Sequence, residues 1–481
     1  MLIDTKFFRR KILDLAIWGK LVPQDPNDEP ASELLKRIHA EKAALVKSGK
    51  LKKEKPLPSI SQDEIPFEIP ASWEWVRLGT IATVVTGATP PTTSETYYGG
   101  TIPFIKPPDL GLRKYIESSS GSLTKGGAEK SRLIPPNSIC VCCIGSLGKT
   151  SISQEFLCTN QQINSLLPLI NVDYLYYVCL SVFFQDSLQQ ASTAVTIALV
   201  NKSKMEHLLI PLPPLEEQKR IAAAVEALMN EVDTIEREVE NINRIFAQTR
   251  EKVLDLAIRG KLVPQNPNDE PASELLKRIN AEKAAHIKSG KLKKEKPLPP
   301  ITQDEIPFDI PDTWEWVRLV SLGSVIGGGT PSTSVPEYWD GTIPWLSPCD
   351  LSDYNGKYIG RGKRNISQEG LDHSSAALMP AGSILYSSRA PIGYVVIASN
   401  EISTNQGFKS LVPVIDGISE FIYYALKALT PDIRNRATGT TFKEISGSEF
   451  GKTLLPLPPL AEQKRIVEKL ESIFSTLDMH Q

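Results

Sequence analysis

The chain repeats itself, and that repeat constrains the fold more than any other feature. Residues 11–78 match residues 252–319 at a constant offset of 241, with 57 of 68 positions identical. The shared stretch opens Leu13-Asp14-Leu15-Ala16-Ile17 and closes Trp73-Glu74-Trp75-Val76-Arg77-Leu78, mirrored by Trp314 to Leu319. A second repeat pairs Pro211–Ile221 (PLPPLEEQKRI) with Pro456–Ile466 (PLPPLAEQKRI) at offset 245. A scaffold present twice implies approximate two-fold symmetry within one chain.

Between these anchors lie two inserts, about 79–210 and 320–455, that share only fragments. Gly87-Ala88-Thr89-Pro90 faces Gly328-Gly329-Thr330-Pro331, and Thr159-Asn160-Gln161 faces Thr404-Asn405-Gln406. Tyr97 to Phe104 faces Tyr338 to Trp345. Drift alone would have touched scaffold and insert alike. The pattern favours two readers of different targets on one frame.

From Pro214 onward the sequence carries Ile221, Val225, Leu228, Val232, Ile235, Val239, Ile242, Phe246, Thr249, Val253 and Leu256. Their steps alternate four and three without a break, which is a heptad seam. Glu216 and Glu217 suit the helix start and Gly260 its stop. A helix over 216–259 would be about 65 Å long. Ile466, Leu470, Ile473 and Leu477 repeat the first part of the seam; Thr5, Phe8, Ile12 and Leu15 repeat the last. Both ends of the chain are therefore expected to meet and imitate the central helix, with Met1 and Gln481 about 10 Å apart.

Short helices are expected over 30–48 and 271–289, each followed by a basic stretch, Lys50 to Pro56 and Lys291 to Pro297, read as a solvated linker. Trp73 and Trp75 alternate with polar residues, as on a strand. The inserts read as α+β lobes with mostly antiparallel sheet and one helical stretch each, near Tyr174–Gln190 and Glu420–Arg434. The organisation is then an N-terminal helix (1–20), a repeat with short helix and linker (21–70), a first lobe (71–215) and the long helix (216–260). A second repeat (261–311), a second lobe (312–458) and a C-terminal helix (459–481) complete it.

Composition adds exclusions. Fifty-four Lys and Arg against 56 Asp and Glu leave a formal net charge of −2, so the total charge does not point to nucleic acid. No run approaches the roughly 18 apolar residues of a membrane span. The start lacks a secretory pattern, so a soluble cytoplasmic protein is expected. Catalytic motifs fail one by one. Gly145-Ser-Leu-Gly148-Lys149-Thr150 has two residues between its glycines where a phosphate loop has four. Lys106-Pro107-Pro108-Asp109 lacks the amide and aromatic of an amino-methyltransferase turn. Asp109, Glu217 and Lys219 are too far apart in sequence to read as a nuclease site. Cys140-x-x-Cys143 has zinc spacing, but the second insert carries Leu385 and Ser388 there, so buried thiols on a strand are expected. No catalytic residue and no metal ligand is assigned.

The opening Ile65-Pro66-x-x-Ile69-Pro70-x-x-Trp73-Glu74-Trp75-Val76-x-Leu78-Gly79 resembles that of a target recognition domain in the specificity (S) subunit of type I restriction–modification systems. Gly-x-Thr-Pro, Tyr338-Trp339-x-Gly341-x-Ile343-Pro344-Trp345 and Pro-Leu-Pro-Pro-Leu-x-Glu-Gln-x-x-Ile are similar to that family too. In this order, twice over, they cover nearly the whole chain. Two departures stand out: the second long helix is split between the termini, and Tyr98 and Phe104 replace Trp in the first lobe. The resemblance implies two target recognition domains in pseudo-two-fold arrangement, joined and spaced by long antiparallel coiled-coil helices. Each lobe would read one half of a bipartite, asymmetric target in double-stranded DNA. The helices would set the spacer and dock two methyltransferase (M) subunits. Two restriction (R) subunits would add translocation and cleavage. S-adenosylmethionine, ATP and Mg would sit on those partners, leaving this chain without cofactor or active site. A methyltransferase-only complex, and a coiled-coil scaffold that never touches DNA, are the alternatives.

Local charge then supplies candidates for DNA contact: Lys106, Arg113, Lys114 and Lys149 in the first lobe, and Lys357, Arg361, Lys363, Arg364, Arg389, Arg434 and Arg436 in the second. Arg suits guanine edges and Asn or Gln suits adenine, which adds Asn160, Gln161, Asn405 and Gln406. Asn160 and Asn405 recur in both inserts, and a structural turn role competes with base reading there.

Overall fold

The computed structural model describes residues 4–49, 56–192, 198–292, 298–439 and 443–479. The chain divides into two compact units whose boundary falls between Glu240 and Asn241, inside the long helix. That helix runs Leu215–Ile258, where the heptad spacing places it. The basic residues 50–55 and the Met1–Gln481 separation lie outside the described residues.

In the first unit the N-terminal helix, Thr5–Ile17, buries Leu13, Ala16 and Ile17 in one cluster with Ile221, Ala222 and Val225 of the long helix. Arg9 reaches Met229 at 3.8 Å and Glu236 at 2.8 Å, and also pairs with Asp233. The contacts climb one helix as they descend the other, so the pair is antiparallel. In the second unit the C-terminal helix, Leu460–Met479, buries Ile466, Val467 and Leu470 with Val253, Ala257 and Ile258. Arg250 pairs with Asp478 and lies 5.2 Å from the Phe474 ring.

One expectation needs correction. Leu228, Ile235 and Ile242 are exposed (38%, 39% and 45%), although the heptad pattern places them in the seam. The reason is directional. The N-terminal helix meets the side carrying Val225, Met229 and Val232. Leu228 and Ile235 sit one residue before Met229 and Glu236, about 100° around the helix. Phe8 is exposed as well.

Both copies of the repeat fold alike. The short helices run Ala31–Lys47 and Ala272–Lys288. Gly19 and Gly260 follow the long-helix segments at φ of +65° and +67°, and a Cβ there would meet Pro70 at 2.4 Å or Pro311 at 2.5 Å. Glycine is therefore needed at both corners. Strand Glu74–Arg77 pairs antiparallel with Leu209–Leu212, and Glu315–Arg318 with Leu454–Leu457. Each lobe thus hangs from a short two-stranded neck.

Among the described residues each lobe holds two sheets beyond its neck. In the first, Ala82–Thr86, Ile163–Pro168, Ile139–Cys142 and Thr150–Ile152 form a four-stranded antiparallel sheet. The other orders Ser122–Leu123, Tyr98–Ile105, Leu157–Thr159 and Leu133–Ile134, with one parallel pair. The second lobe has sheets of five and three strands, each with one parallel pair. The expected helical stretch is two helices in the first lobe, Val172–Leu180 and Val182–Ala191, broken at Ser181, which caps the second. In the second lobe it is one helix, Ser419–Arg436.

Candidate nucleic-acid interface and its frame

The motif that opens each frame helix owes its residue types to a buried joint. Glu217 accepts from Trp73 Nε1 at 2.9 Å and from Gln24 Nε2 at 2.5 Å. Glu462 accepts from Trp314 Nε1 at 3.0 Å and from Gln265 Nε2 at 2.5 Å. Burial pushes both carboxyls above the usual range, against the pull of those donors. One turn on, Arg220 pairs with Asp28 and Arg465 with Asp269, each at 2.6 Å. Glu217 is therefore a structural acceptor, and Asp109 is another: it accepts from the Lys106 N–H at 2.8 Å and the Ser120 N–H at 3.1 Å.

The fragments shared by the two inserts meet in space. Ala88 N–H donates to Thr159 O, and Gly329 N–H to Thr404 O. A Cβ on Gly87 or Gly328 would lie 2.2 Å or 1.9 Å from the carbonyl of Asn160 or Asn405. Asn160 is buried and closes its own turn, accepting from Gln162 N–H at 3.1 Å; Asn405 accepts from Gly407 N–H at 2.8 Å. Gln161 and Gln406 are exposed at the tips of these turns, held by Thr89 and Thr330. The asparagines thus build the turn and the glutamines face solvent.

The basic candidates divide by what they touch. In the first lobe Lys106, Arg113 and Lys149 are exposed. Arg113, Lys114 and Lys149 line one open cleft of about 930 Å³ together with Arg9, Tyr176, Tyr177 and Glu226. Lys106 lies 5.8 Å from the Phe104 ring, next to the Asn160 turn. Lys114 is engaged by Asp173 and Glu226, so its charge is spent within the fold. In the second lobe Arg361, Lys363 and Arg364 are exposed. Arg364 stacks 3.6 Å over Trp339, which meets Trp345 edge-on at 5.2 Å. Trp345 Nε1 donates to Gly329 O, a bond that Phe104 cannot make in the first lobe. Arg389 sits 3.7 Å from Glu444, and its neighbour Ser388 bonds Gly407 beside the Gln406 tip. Arg434 is exposed and donates to Ile392 O, in the same loop as Arg389. Lys357 is engaged by Glu420 and Glu471. Arg436 is consumed by Asp432, Glu449 O and Thr453. Its three partners depend on where the helix end meets the following turn, which spacing does not reveal. Lys409, bonded to Gln406 O and Glu444, is a further cation at this tip that the charge pattern alone did not single out.

The thiols lie where strand burial places them. Cys140 and Cys142 are buried on Ile139–Cys142 and Cys143 follows it, burial pushing Cys140 up to about 11 and Cys143 up to about 12. Among the described residues no helix is long and apolar enough to cross a membrane.

Two lobes on a duplicated frame, each presenting an exposed glutamine at the tip of a turn, coincide with two copies of a known domain. The model of the type I restriction modification DNA specificity domain matches twice, over residues 70–244 and 311–481. The chain belongs to this family. The EcoAI specificity subunit of Escherichia coli is 31% identical to it over an alignment that covers 99% of this chain and 90% of the relative. The EcoEI specificity subunit of Escherichia coli is 36% identical over 395, covering 70% and 65%. Among solved structures, a chain from a study of type I R-M complex assembly and conformational transition matches with TM-score 0.59 at 22% identity, covering 86% of this chain and 93% of that one. The HsdS subunit from Thermoanaerobacter tengcongensis matches with TM-score 0.53 at 20% identity, covering 87% and 93%. At such identities the structural likeness concerns the fold. The chain carries two DNA specificity domains, and the long helix Leu215–Ile258 links the first to the second repeat.

Proposed function

We propose that this specificity subunit gives a type I complex its address and performs no chemistry of its own. Each lobe reads one half of a bipartite, asymmetric sequence, and the helices set the spacer between the halves. Two M subunits dock on the two near-identical frame halves, because identical surfaces take identical partners. Two R subunits complete the nuclease. S-adenosylmethionine, ATP and Mg belong to those partners. One observation supports the reading: the frame joints are the same in both halves, while the cations beside the lobes' aromatic rings differ, Lys106 by Phe104 in one and Arg364 over Trp339 in the other.

The residues proposed to meet DNA are those left exposed, Lys106, Arg113, Lys149 and Gln161 in the first lobe and Arg361, Lys363, Arg364, Gln406 and Arg434 in the second, together with the half-buried Arg389. Their number is small for a duplex. A subunit that binds inside a larger complex can leave much phosphate neutralisation to its partners, which fits the net charge of −2. The exposed Leu228 and Ile235 offer apolar area for an M-subunit helix. The test is co-expression with cognate M subunits followed by sequencing of host DNA for methylated adenine. A split motif is expected; unmodified DNA despite an isolated S–M complex overturns the reading. The chain alone is expected to bind DNA weakly and to lose it as salt rises.

A further inference from the structure

Lys114 and Lys357 occupy equivalent places in two lobes that share few other side-chain contacts. Each begins a Lys-Tyr-Ile triad, and the lysine carbonyl accepts from Ile152 N–H (2.7 Å) or Ile397 N–H (2.8 Å). Each ammonium then bridges two carboxylates. Lys114 Nζ lies 2.9 Å from Asp173 on the lobe helix and 2.7 Å from Glu226 on the long helix. Lys357 Nζ lies 2.6 Å from Glu420 on the lobe helix and pairs with Glu471 on the C-terminal helix. A tyrosine ring flanks each ammonium, Tyr177 at 5.4 Å and Tyr424 at 6.0 Å. Both lysines are only 18% exposed. Burial works against their charge, yet the paired carboxylates outweigh it and hold both ammoniums above the usual lysine range.

Stability alone does not account for this repetition. Partly exposed ion pairs contribute little, and each lobe is already anchored by apolar packing and its neck. Geometry does. In the first lobe Asn171 N–H bonds Gln218 at the start of the long helix. Glu226 lies eight residues further, about 12 Å along the axis. Two attachment points that far apart stop a lobe from rocking about its neck. One base pair advances about 3.4 Å, so a lobe rocking by a few ångströms would accept a spacer one base pair longer or shorter.

We propose that Lys114 and Lys357 are positioning residues, clamping each recognition lobe to its frame helix so that only one spacer length is accepted. This rests on the reading of the helices as a spacer gauge.

The test uses the full chain assembled with its M subunits on a DNA library in which the spacer varies by one base pair. Adenine methylation is read by sequencing. Lys114→Met should keep both half-site sequences but lower discrimination against altered spacers at least tenfold. Lys357→Met should do the same. The exchange Lys114→Glu with Glu226→Lys keeps one lysine between two carboxylates and should restore discrimination. Unchanged spacer discrimination in both Met variants overturns the clamp. So does a change of half-site bases, which would mean that the lysines read DNA. Loss of all methylation by Met variants and exchanged pair alike overturns it too. The wild-type complex is the control for the parent reading: absence of any split motif there dismisses the gauge itself, independently of the variants.

Discussion

The frame and the lobes were duplicated together, but they have kept different things. In the frame, contacts recur almost to the ångström. Trp73 to Glu217 is 2.9 Å and Trp314 to Glu462 is 3.0 Å; Arg220 to Asp28 and Arg465 to Asp269 are both 2.6 Å. In the lobes, one helix replaces two, and an Arg364–Trp339–Trp345 stack stands where the first lobe has Tyr98 and Phe104. What survives in both lobes is the turn that presents a glutamine and the lysine that ties the lobe to its helix. The difference teaches that divergence has run through the lobes, interior included, while the frame that mounts them and the glutamine-tipped turn have stayed fixed.

The strongest way to break that comparison is to exchange a lobe. Replacing residues 79–210 with the corresponding insert of a relative should change one half of the recognised sequence and leave the other half unchanged. Sequencing of modified DNA decides it; changes in both halves would show that the lobes are not independent readers.

Single side chains should separate reading from mounting within one lobe. Arg364→Ala in the assembled complex should weaken DNA binding by about 1–3 kcal/mol if it meets a base and relax one position of one half-site. Arg436→Ala should instead lower Tm, because its guanidinium holds Glu449 O and Thr453, and leave the salt dependence of binding unchanged. Binding isotherms at several salt concentrations distinguish the two. An equal loss of salt slope in both would erase the distinction between exposed and consumed cations.

Within the frame the expectation is sameness. Glu217→Ala and Glu462→Ala each strand a buried indole N–H and a glutamine amide, at about 1–3 kcal/mol. Denaturant midpoints of the two variants should shift alike. A large difference would show that the halves are mounted differently despite their shared sequence. One candidate source exists: Gln218 Oε1 accepts from Asn171 N–H, whereas Gln463 Oε1 is buried without a hydrogen-bond partner among the described residues.

The frame was the legible part. Heptad steps locate Leu215–Ile258 because a long helix is written in local periodicity. Which side of the seam is covered is not local, so Leu228 and Ile235 were misassigned until the N-terminal helix could be placed. In the lobes, charge clusters find exposed Arg361, Lys363 and Arg364 but cannot tell them from Lys114 or Lys357. Their partners Glu226 and Glu471 lie 112 and 114 residues away. The repeated Lys-Tyr-Ile is the one sequence signal that could have flagged the clamp. Two sheets per lobe were likewise hidden, since strands of two or three residues carry almost no alternation.

The finest comparison is electrostatic and concerns two carboxylates of the frame. The Ser61 backbone N–H and then the Arg77 guanidinium pull Glu64 down to about 2; the Thr302 N–H and Arg318 lower Glu305 in the same way. A folded-state pKa below the ordinary value of 4.5 means that the contact's contribution is present above that pH. It is lost as pH falls from there toward 2. Glu64→Gln and Glu305→Gln should therefore both lower stability at neutral pH, where the contact is intact, and flatten the acid limb of the stability profile, with little change once the wild-type carboxyls are protonated. Arg77 is additionally fixed by donation to His207 O at 3.0 Å, whereas the buried Arg318 Nε has no hydrogen-bond partner among the described residues. Glu64 should accordingly titrate below Glu305 when both carboxyls are followed by NMR. A shared midpoint near 4.5 would mean that neither turn holds its arginine in solution, and that the likeness of the two frame halves ends at the buried joint.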